Sequence, residues 1–192
     1  MNPHLPALDY EVRVYRPHEC LVFCKTREEG GWCSNMAGGY PIGVNDKRVL
    51  TSEALYQTFR FPHRPDIQQE IIACRSPMAA KMVAKKYRDH TRSDWDNVRV
   101  GAMWWSLLAK LACNPDRFGN RLKGSTDKLL VEKSHKDDFW GTKLQPDGTL
   151  RGRNVLGILL MELREVTDTW IDTLLPPGDL VPTAMFLGNP IT

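Results

Sequence analysis

Glu53, Gln57 and Arg60 stand at i, i+4 and i+7 in the stretch Ser52-Glu-Ala-Leu-Tyr-Gln-Thr-Phe-Arg60. On a helix these positions share an arc of about 60°. An acid, an amide and a guanidinium on one stripe could transfer a proton and hold a phosphate. From this helix alone, a solvated face with an i,i+4 contact is the more ordinary reading. The stripe begins just after a glycine-rich loop bearing Ser34 and Asn35, and N–H groups at a helix start can receive phosphate. A second set lies in Ser134-His-Lys-Asp137-Asp-Phe-Trp140-Gly141, where an acid could accept sugar hydroxyls, although a polar turn fits as well. His135 in this set reads as a structural residue. Asn154 precedes an apolar periodic segment and could cap it or present its amide to a ligand. Trp95 falls outside the apolar stripe of its own segment, so it packs on a neighbour or forms a stacking wall. Lys81 to Arg99 carries six basic residues against three acids, a modest basic patch.

The elements that must position these groups follow from periodicity and caps. Tyr10, Val12 and Val14 alternate with polar residues and read as a half-buried strand, with Cys20 to Cys24 as its partner. Glu28 to Asn45 reads as a loop. A helix runs from a Thr51 or Ser52 cap to Pro62, with Leu55 and Phe59 buried, and a shorter one spans Asp66 to Cys74. Ser76-Pro77 opens a third helix reaching about Tyr87. Ser93 and Asp96 form a capping-box signature for the longest helix, which Asn114-Pro115 stops. Its inner face is Val98, Ala102, Trp105, Ala109 and Ala112, and Trp104 also reads as core. Lys128 to Glu132 reads as a strand, Asp147-Gly148 as a turn in a loop running to Asn154, and Leu156 to Leu163 as a last amphipathic helix. The tail, residues 171–192, is rich in proline and reads as extended. The sum is an α+β chain, predominantly helical with a small antiparallel sheet, in a single domain over residues 1–192.

Composition narrows the function. The 192 residues are 42% hydrophobic and 26% charged, so a globular core is expected. A net charge of +3 permits contact with nucleic acid without arguing for it. The longest apolar run, Val155 to Met161, is too short for a bilayer, and the first residues hold no apolar signal core, so no membrane partner and a cytoplasmic location are expected. Five scattered cysteines suit reduced thiols. No phosphate-loop, dinucleotide, nucleophile-elbow or metal motif is present, so no metal or other cofactor is expected and hydrolysis would fall to carboxylates.

Taken in order, Trp32-Cys-Ser34-Asn35, Ser52-Glu53-Ala-Leu-Tyr56-Gln57, Ser76-Pro77-Met-Ala-Ala-Lys81 and Trp95-Asp96-Asn-Val-Arg form part of a longer pattern. It continues through Leu129-Leu-Val-Glu132, Asp137-Asp-Phe-Trp140-Gly141 and Gly152-Arg-Asn154-Val-Leu-Gly157 to Arg164. The set resembles the NADAR, or YbiA-like, family over residues of about 30–165. The resemblance implies a compact helix-rich α+β fold and hydrolysis of N-glycosidic bonds in phosphorylated ribosides. One branch of the family cleaves early riboflavin-pathway intermediates. The other removes ADP-ribose from guanine bases and acts as antitoxin to a DarT-type DNA ADP-ribosyltransferase. Arg60 stands where the family usually has lysine, and the loop from Thr142 to Arg151 is longer. Both departures point to the guanine-linked branch, with ADP-ribosylated DNA as substrate and a DarT-type transferase as the associated toxin.

On this reading Glu53 is the general acid/base, and Asp137 orients the ribose or stabilises its oxocarbenium character. Arg60, Lys81 and loop N–H groups hold the pyrophosphate, and Trp95 or Trp140 stacks on a base. Ser34, Asn35, Gln57, Gly141 and Asn154 complete the expected ligand contacts. Lys81 attacking the anomeric carbon covalently ranks second. The alternatives are an N-glycosidase acting on ribosylated pyrimidine phosphates and a non-catalytic ADP-ribose-binding module.

Overall fold

A computed structural model describes residues 4–7, 9–167 and 174–192. The fold is α+β, and its contacts gather into two compact units, each assembled from separated stretches of chain. The start of the expected tail, residues 171–173, lies outside the described residues.

The first unit is built on residues 35–115 together with the C-terminal segment. It holds a hairpin of β3 (Ile42–Val44) and β4 (Lys47–Val49), then α1 (Ser52–Thr58), α2 (Pro65–Ile72), α3 (Pro77–Lys86) and α4 (Trp95–Cys113). The cap signals at α1 and α3 are used as written. Thr51 Oγ1 accepts from Ala54 N at 3.2 Å and Ser76 Oγ from Ala79 N at 3.1 Å, with Pro77 at the first helical position. α4 starts differently. Its N-cap is Asp94, without a side-chain cap bond, and the Ser93–Asp96 capping box does not form. Arg92 instead binds both Asp94 oxygens, at 2.5 and 2.8 Å, while Asp96 is exposed 3.8 Å from Arg99.

α1 packs against α2, α3 and α4, so every residue from Ser52 to Thr58 is buried. Phe59 meets Trp105 edge to face at 5.5 Å, and Trp104 and Trp105 are both core. The C-terminal segment is tied down by polar bonds. Trp105 Nε1 donates to Leu175 O at 2.9 Å, and Arg92 Nη2 donates to Pro182 O at 2.8 Å. Gln68, fully buried, donates to Thr58 O and Met185 O and accepts from Leu187 N. The segment is therefore not simply extended: β8 (Met185–Phe186) and β9 (Asn189–Pro190) close a small hairpin.

The second unit comprises residues 6–34 and 116–169. It holds β1 (Arg13–Tyr15), β2 (Cys20–Phe23), α5 (Asn120–Lys123), β5 (Leu129–Glu132), β6 (Lys143–Leu144), β7 (Leu150–Gly152) and α6 (Val155–Glu165). β1 pairs antiparallel with β7, which pairs antiparallel with β6. Two strand expectations are corrected here. β2 pairs parallel with β5 rather than with β1. The alternation at β1 has the opposite face inward: Val12 and Val14 are 50% and 62% exposed, and Tyr15 packs on Val131 and Leu150. The expected loop from Thr142 is the β6–β7 hairpin, whose Gly148 takes φ +83°. α6 lies on β5, and Gly157 permits it, because a Cβ there would fall against Leu130 O and the Asn154 amide.

Candidate active site

The polar stripe of α1 is enclosed rather than solvated. Glu53 and Gln57 are 5% and 3% exposed, because three helices surround α1. Buried polar atoms need partners. Glu53 Oε1 accepts from Gln57 Nε2 at 2.9 Å, and Oε2 accepts from Asn35 Nδ2 at 3.1 Å. Asn35 is itself fixed by its backbone, whose carbonyl accepts from Glu53 N at 3.0 Å and from Ser52 Oγ at 3.1 Å. The loop and the first turn of α1 therefore set each other's position.

Gln57 links the acid to the guanidinium. Its Oε1 accepts from Arg60 Nη1 at 3.4 Å. A guanidinium only donates, so the Gln57 oxygen must face Arg60 and its NH2 must face Glu53. Glu53 Oε1 is thus committed as an acceptor. Oε2 is the oxygen with latitude: Asn35 Oδ1 is buried without a partner among the described residues, and an amide flip would let it receive a proton carried on Oε2.

Arg60 is half-buried, with its Cζ 5.2 Å from the Trp95 ring centre. Trp95 also meets Tyr56, ring centres 5.2 Å apart. Burial pulls the Arg60 pKa down from its ordinary value, while Tyr56, Glu53 and Asp96 act in the opposite direction. Its Nε is buried without a partner among the described residues, so the group holds an unspent donor. Lys81 lies exposed on α3.

The remaining expected residues belong to the second unit. Asp137 is half-buried, and its Oδ1 accepts from Phe139 N and Trp140 N, both at 2.9 Å, the geometry of an Asx turn. The same turn places Phe139 and Trp140 edge to face at 5.1 Å. Ser34 and Gly141 are buried, and a Cβ at Gly141 would lie 2.7 Å from Glu132 O, so glycine is needed for that approach.

Asn154 does not cap α6 through its side chain. It sits at the N-cap of α6 with φ +53° and makes no side-chain cap bond. Its Oδ1 accepts from Glu132 N at 2.9 Å and its Nδ2 donates to Leu130 O at 2.9 Å. Each end of the amide makes a bond to β5 and the side chain is fully buried, so Asn154 orders the strand–helix pair. The sequence gives no signal for this, since the partners lie more than twenty residues upstream. Gln68, the buried tie between α1 and the C-terminal segment, is equally silent in the sequence, because Met185 and Leu187 lie 117 and 119 residues downstream. Among the described residues, no group of three His, Cys, Asp or Glu could hold a metal ion.

This α+β chain with an amide-held acid at the head of a helix belongs to the NADAR domain family, whose model matches residues 22–167. N-glycosidase YbiA of Escherichia coli is 34% identical over 84% of this chain and 96% of that protein. A riboflavin biosynthesis protein of Vibrio vulnificus is 29% identical over 83% of this chain, which spans only 41% of that protein's length. The NMR structure of the Escherichia coli protein YbiA superposes with a TM-score of 0.63 at 31% identity, over 77% of this chain and 84% of that one. No helix among the described residues is long and apolar enough to cross a membrane.

Proposed function

We propose that this chain is an N-glycosidase that releases ADP-ribose from ADP-ribosylated guanine bases in DNA, with Glu53 as its general acid/base. The observation that carries the reading is the enclosed carboxyl group of Glu53, gripped by Asn35 and Gln57 at one end of a stripe that finishes in Arg60 and Trp95. Hydrolysis of an N-glycosidic bond fits the names of the YbiA relatives. Arginine at position 60 fits a pyrophosphate, which its planar fork can bind through two parallel bonds.

The C–N bond of the ribose breaks with its electron pair going to the departing base, and the ring carbon gains positive charge. Water adds at that carbon through its oxygen. Glu53 takes the water's proton on Oε2 and passes a proton to the base nitrogen, which closes the balance. Arg60 neutralises the pyrophosphate, with its orphan Nε available as a further donor. Asp137 would steady the ribose as charge develops. Lys81 as a covalent nucleophile is the second-ranked route. In the cell, this activity would serve as antitoxin to a DarT-type transferase.

A second reading keeps the chemistry and changes the substrate to a ribosylated pyrimidine phosphate, which the riboflavin biosynthesis relatives favour. Parallel incubations separate the two: a guanine-ADP-ribosylated oligonucleotide in one, a ribosylamino-pyrimidine phosphate in the other, each followed by chromatography of the released base or sugar. Release of ADP-ribose in the first alone supports the proposal. Release only in the second transfers the activity to the alternative substrate, and binding of ADP-ribose with no release in either identifies a binding module. Asp137→Ala and Lys81→Ala in the same assay test those two roles.

A further inference from the structure

The hairpin of β6 and β7 gathers charges that the acid on α1 does not explain. A groove of about 440 Å³ runs along it in the second unit, with Lys143, Arg151 and Arg153 in its lining. The only acid in that lining is Asp138, which pairs with Lys143 at 2.7 Å. Three cations against one acid is a steep local excess for a chain whose whole net charge is +3.

The strand register explains why the charges gather. Lys143 and Arg151 are direct cross-strand partners, so their side chains leave the ladder on the same face. Like charges set opposite one another are unfavourable in a sheet unless something offsets them. Asp138 answers Lys143. Arg151 and Arg153 are both exposed and lie two residues apart with buried Gly152 between them; neither makes an ion pair within 4 Å among the described residues, although Arg153 is near enough to act on the Asp138 carboxylate. Arg151 lies in β7 and Arg153 one residue beyond its end, so their Cα atoms stand no more than about 7 Å apart, comparable to the interval between neighbouring phosphates along a nucleic acid strand.

An aromatic stack borders these cations. Tyr10 stacks on Phe139 with ring centres 6.1 Å apart and planes at 24°, and Arg153 lies over Phe139 at 5.9 Å. Tyr10 keeps 40% of its surface exposed. Cations tracking a backbone beside an aromatic face on which bases stack are the two components of sequence-tolerant strand binding.

We infer that the Lys143–Arg151–Arg153 groove binds the phosphodiester backbone of a single-stranded nucleic acid, independently of any modification on its bases. The choice of a nucleic acid strand rests on the substrate proposed above. The groove itself lies apart in sequence from the Glu53 stripe and takes no part in the chemistry.

The test uses the full chain and an unmodified fluorescent single-stranded DNA dodecamer, with anisotropy measured across salt concentrations. Wild-type binding should weaken as salt rises. Arg151→Gln with Arg153→Gln should lose roughly tenfold in affinity and flatten the salt slope by about 1.4, the value for two phosphate contacts on a single strand. Lys47→Gln with Arg48→Gln removes the same charge from the exposed face of the β3–β4 hairpin and should leave the slope unchanged. Asp138→Asn should tighten binding. Thermal melts of each variant exclude misfolding as the cause. Equal loss from the two double variants, or no loss from either, overturns the inference. So does salt-dependent binding to phosphatidylserine vesicles with none to the dodecamer, which would assign the groove to a lipid surface. Because no ADP-ribose is present, failure of the glycosidase assay leaves this result standing. Conversely, an unchanged Arg151/Arg153 variant refutes the groove even where ADP-ribose is released.

Discussion

Replacing Asn154 with alanine removes a side chain whose two ends hold one strand. Its Oδ1 and Nδ2 each make a 2.9 Å bond to the backbone of β5, at Glu132 N and Leu130 O. Leu130 is fully buried, so its carbonyl has no route to water once the amide is gone. A buried backbone group left unpaired costs roughly 1–3 kcal/mol, and the Glu132 N–H, half-buried, costs the lower part of that range. The sum is a loss of about 2–4 kcal/mol, a large share of a domain's stability. Asn154→Gly separates the bonds from the backbone, because glycine accepts φ +53° without strain yet still loses both bonds. Asn154→Asp keeps the acceptor for Glu132 N but turns a second oxygen toward Leu130 O, so it should be no better than alanine. Urea unfolding followed by circular dichroism gives the three values. Alanine and glycine variants within about 1 kcal/mol of each other, both far below wild type, are expected. A glycine variant as stable as wild type would refute the reasoning, because the amide bonds would then carry nothing.

Gly157→Ala should be at least as damaging, since its Cβ would press on Leu130 O and the Asn154 amide, and thermal melting of the variant reads the loss. Thr51→Ala removes the cap bond to Ala54 N and should cost about 1 kcal/mol in urea unfolding. Asp66, bound by Arg64 through bonds of 2.9 and 2.6 Å, has its carboxyl pKa lowered from 3.8 to about 2. A lowered folded value means that the pair's contribution is complete above pH 3.8 and is lost as pH falls toward 2. NMR titration of the Asp66 carboxyl should show that low midpoint, and Arg64→Gln should return it to the ordinary range.

The helices were legible because their signals are local. Thr51, Ser76-Pro77 and the i, i+4, i+7 spacing of Glu53, Gln57 and Arg60 each lie within two turns of what they determine. The α+β class and the core positions of Trp104 and Trp105 followed from the same periodicity. Strand partners were not legible. Parallel pairing of Cys20 with Leu129 leaves no mark on either segment, and a three-residue strand such as β1 offers too few alternations to fix which face is inward. The Ser93–Asp96 capping box failed because α4 starts one residue later: Asp94 takes the N-cap position, and its carboxylate is held by buried Arg92 rather than by the helix start. In the site, the stripe on α1 could be read from spacing, whereas its enclosure could not. That depends on three helices packing around α1, and the Asn35–Glu53 bond closes a loop of eighteen residues. Asn154 was visible as a polar residue before a helix, but its actual partners on β5 are set by tertiary packing alone.

The central claim is that one enclosed carboxyl group moves the proton, and substituting it by its isostere addresses that directly. Glu53→Gln preserves size and shape while removing the ability to take a proton from water. The measurement is single-turnover release of ADP-ribose from a guanine-ADP-ribosylated oligonucleotide, made on wild type and on a variant shown by melting to be folded. A rate lower by roughly 10²–10⁴-fold with oligonucleotide binding retained is the predicted result. Release by the variant at the wild-type rate would contradict the account, since the proton would then be carried by some other group.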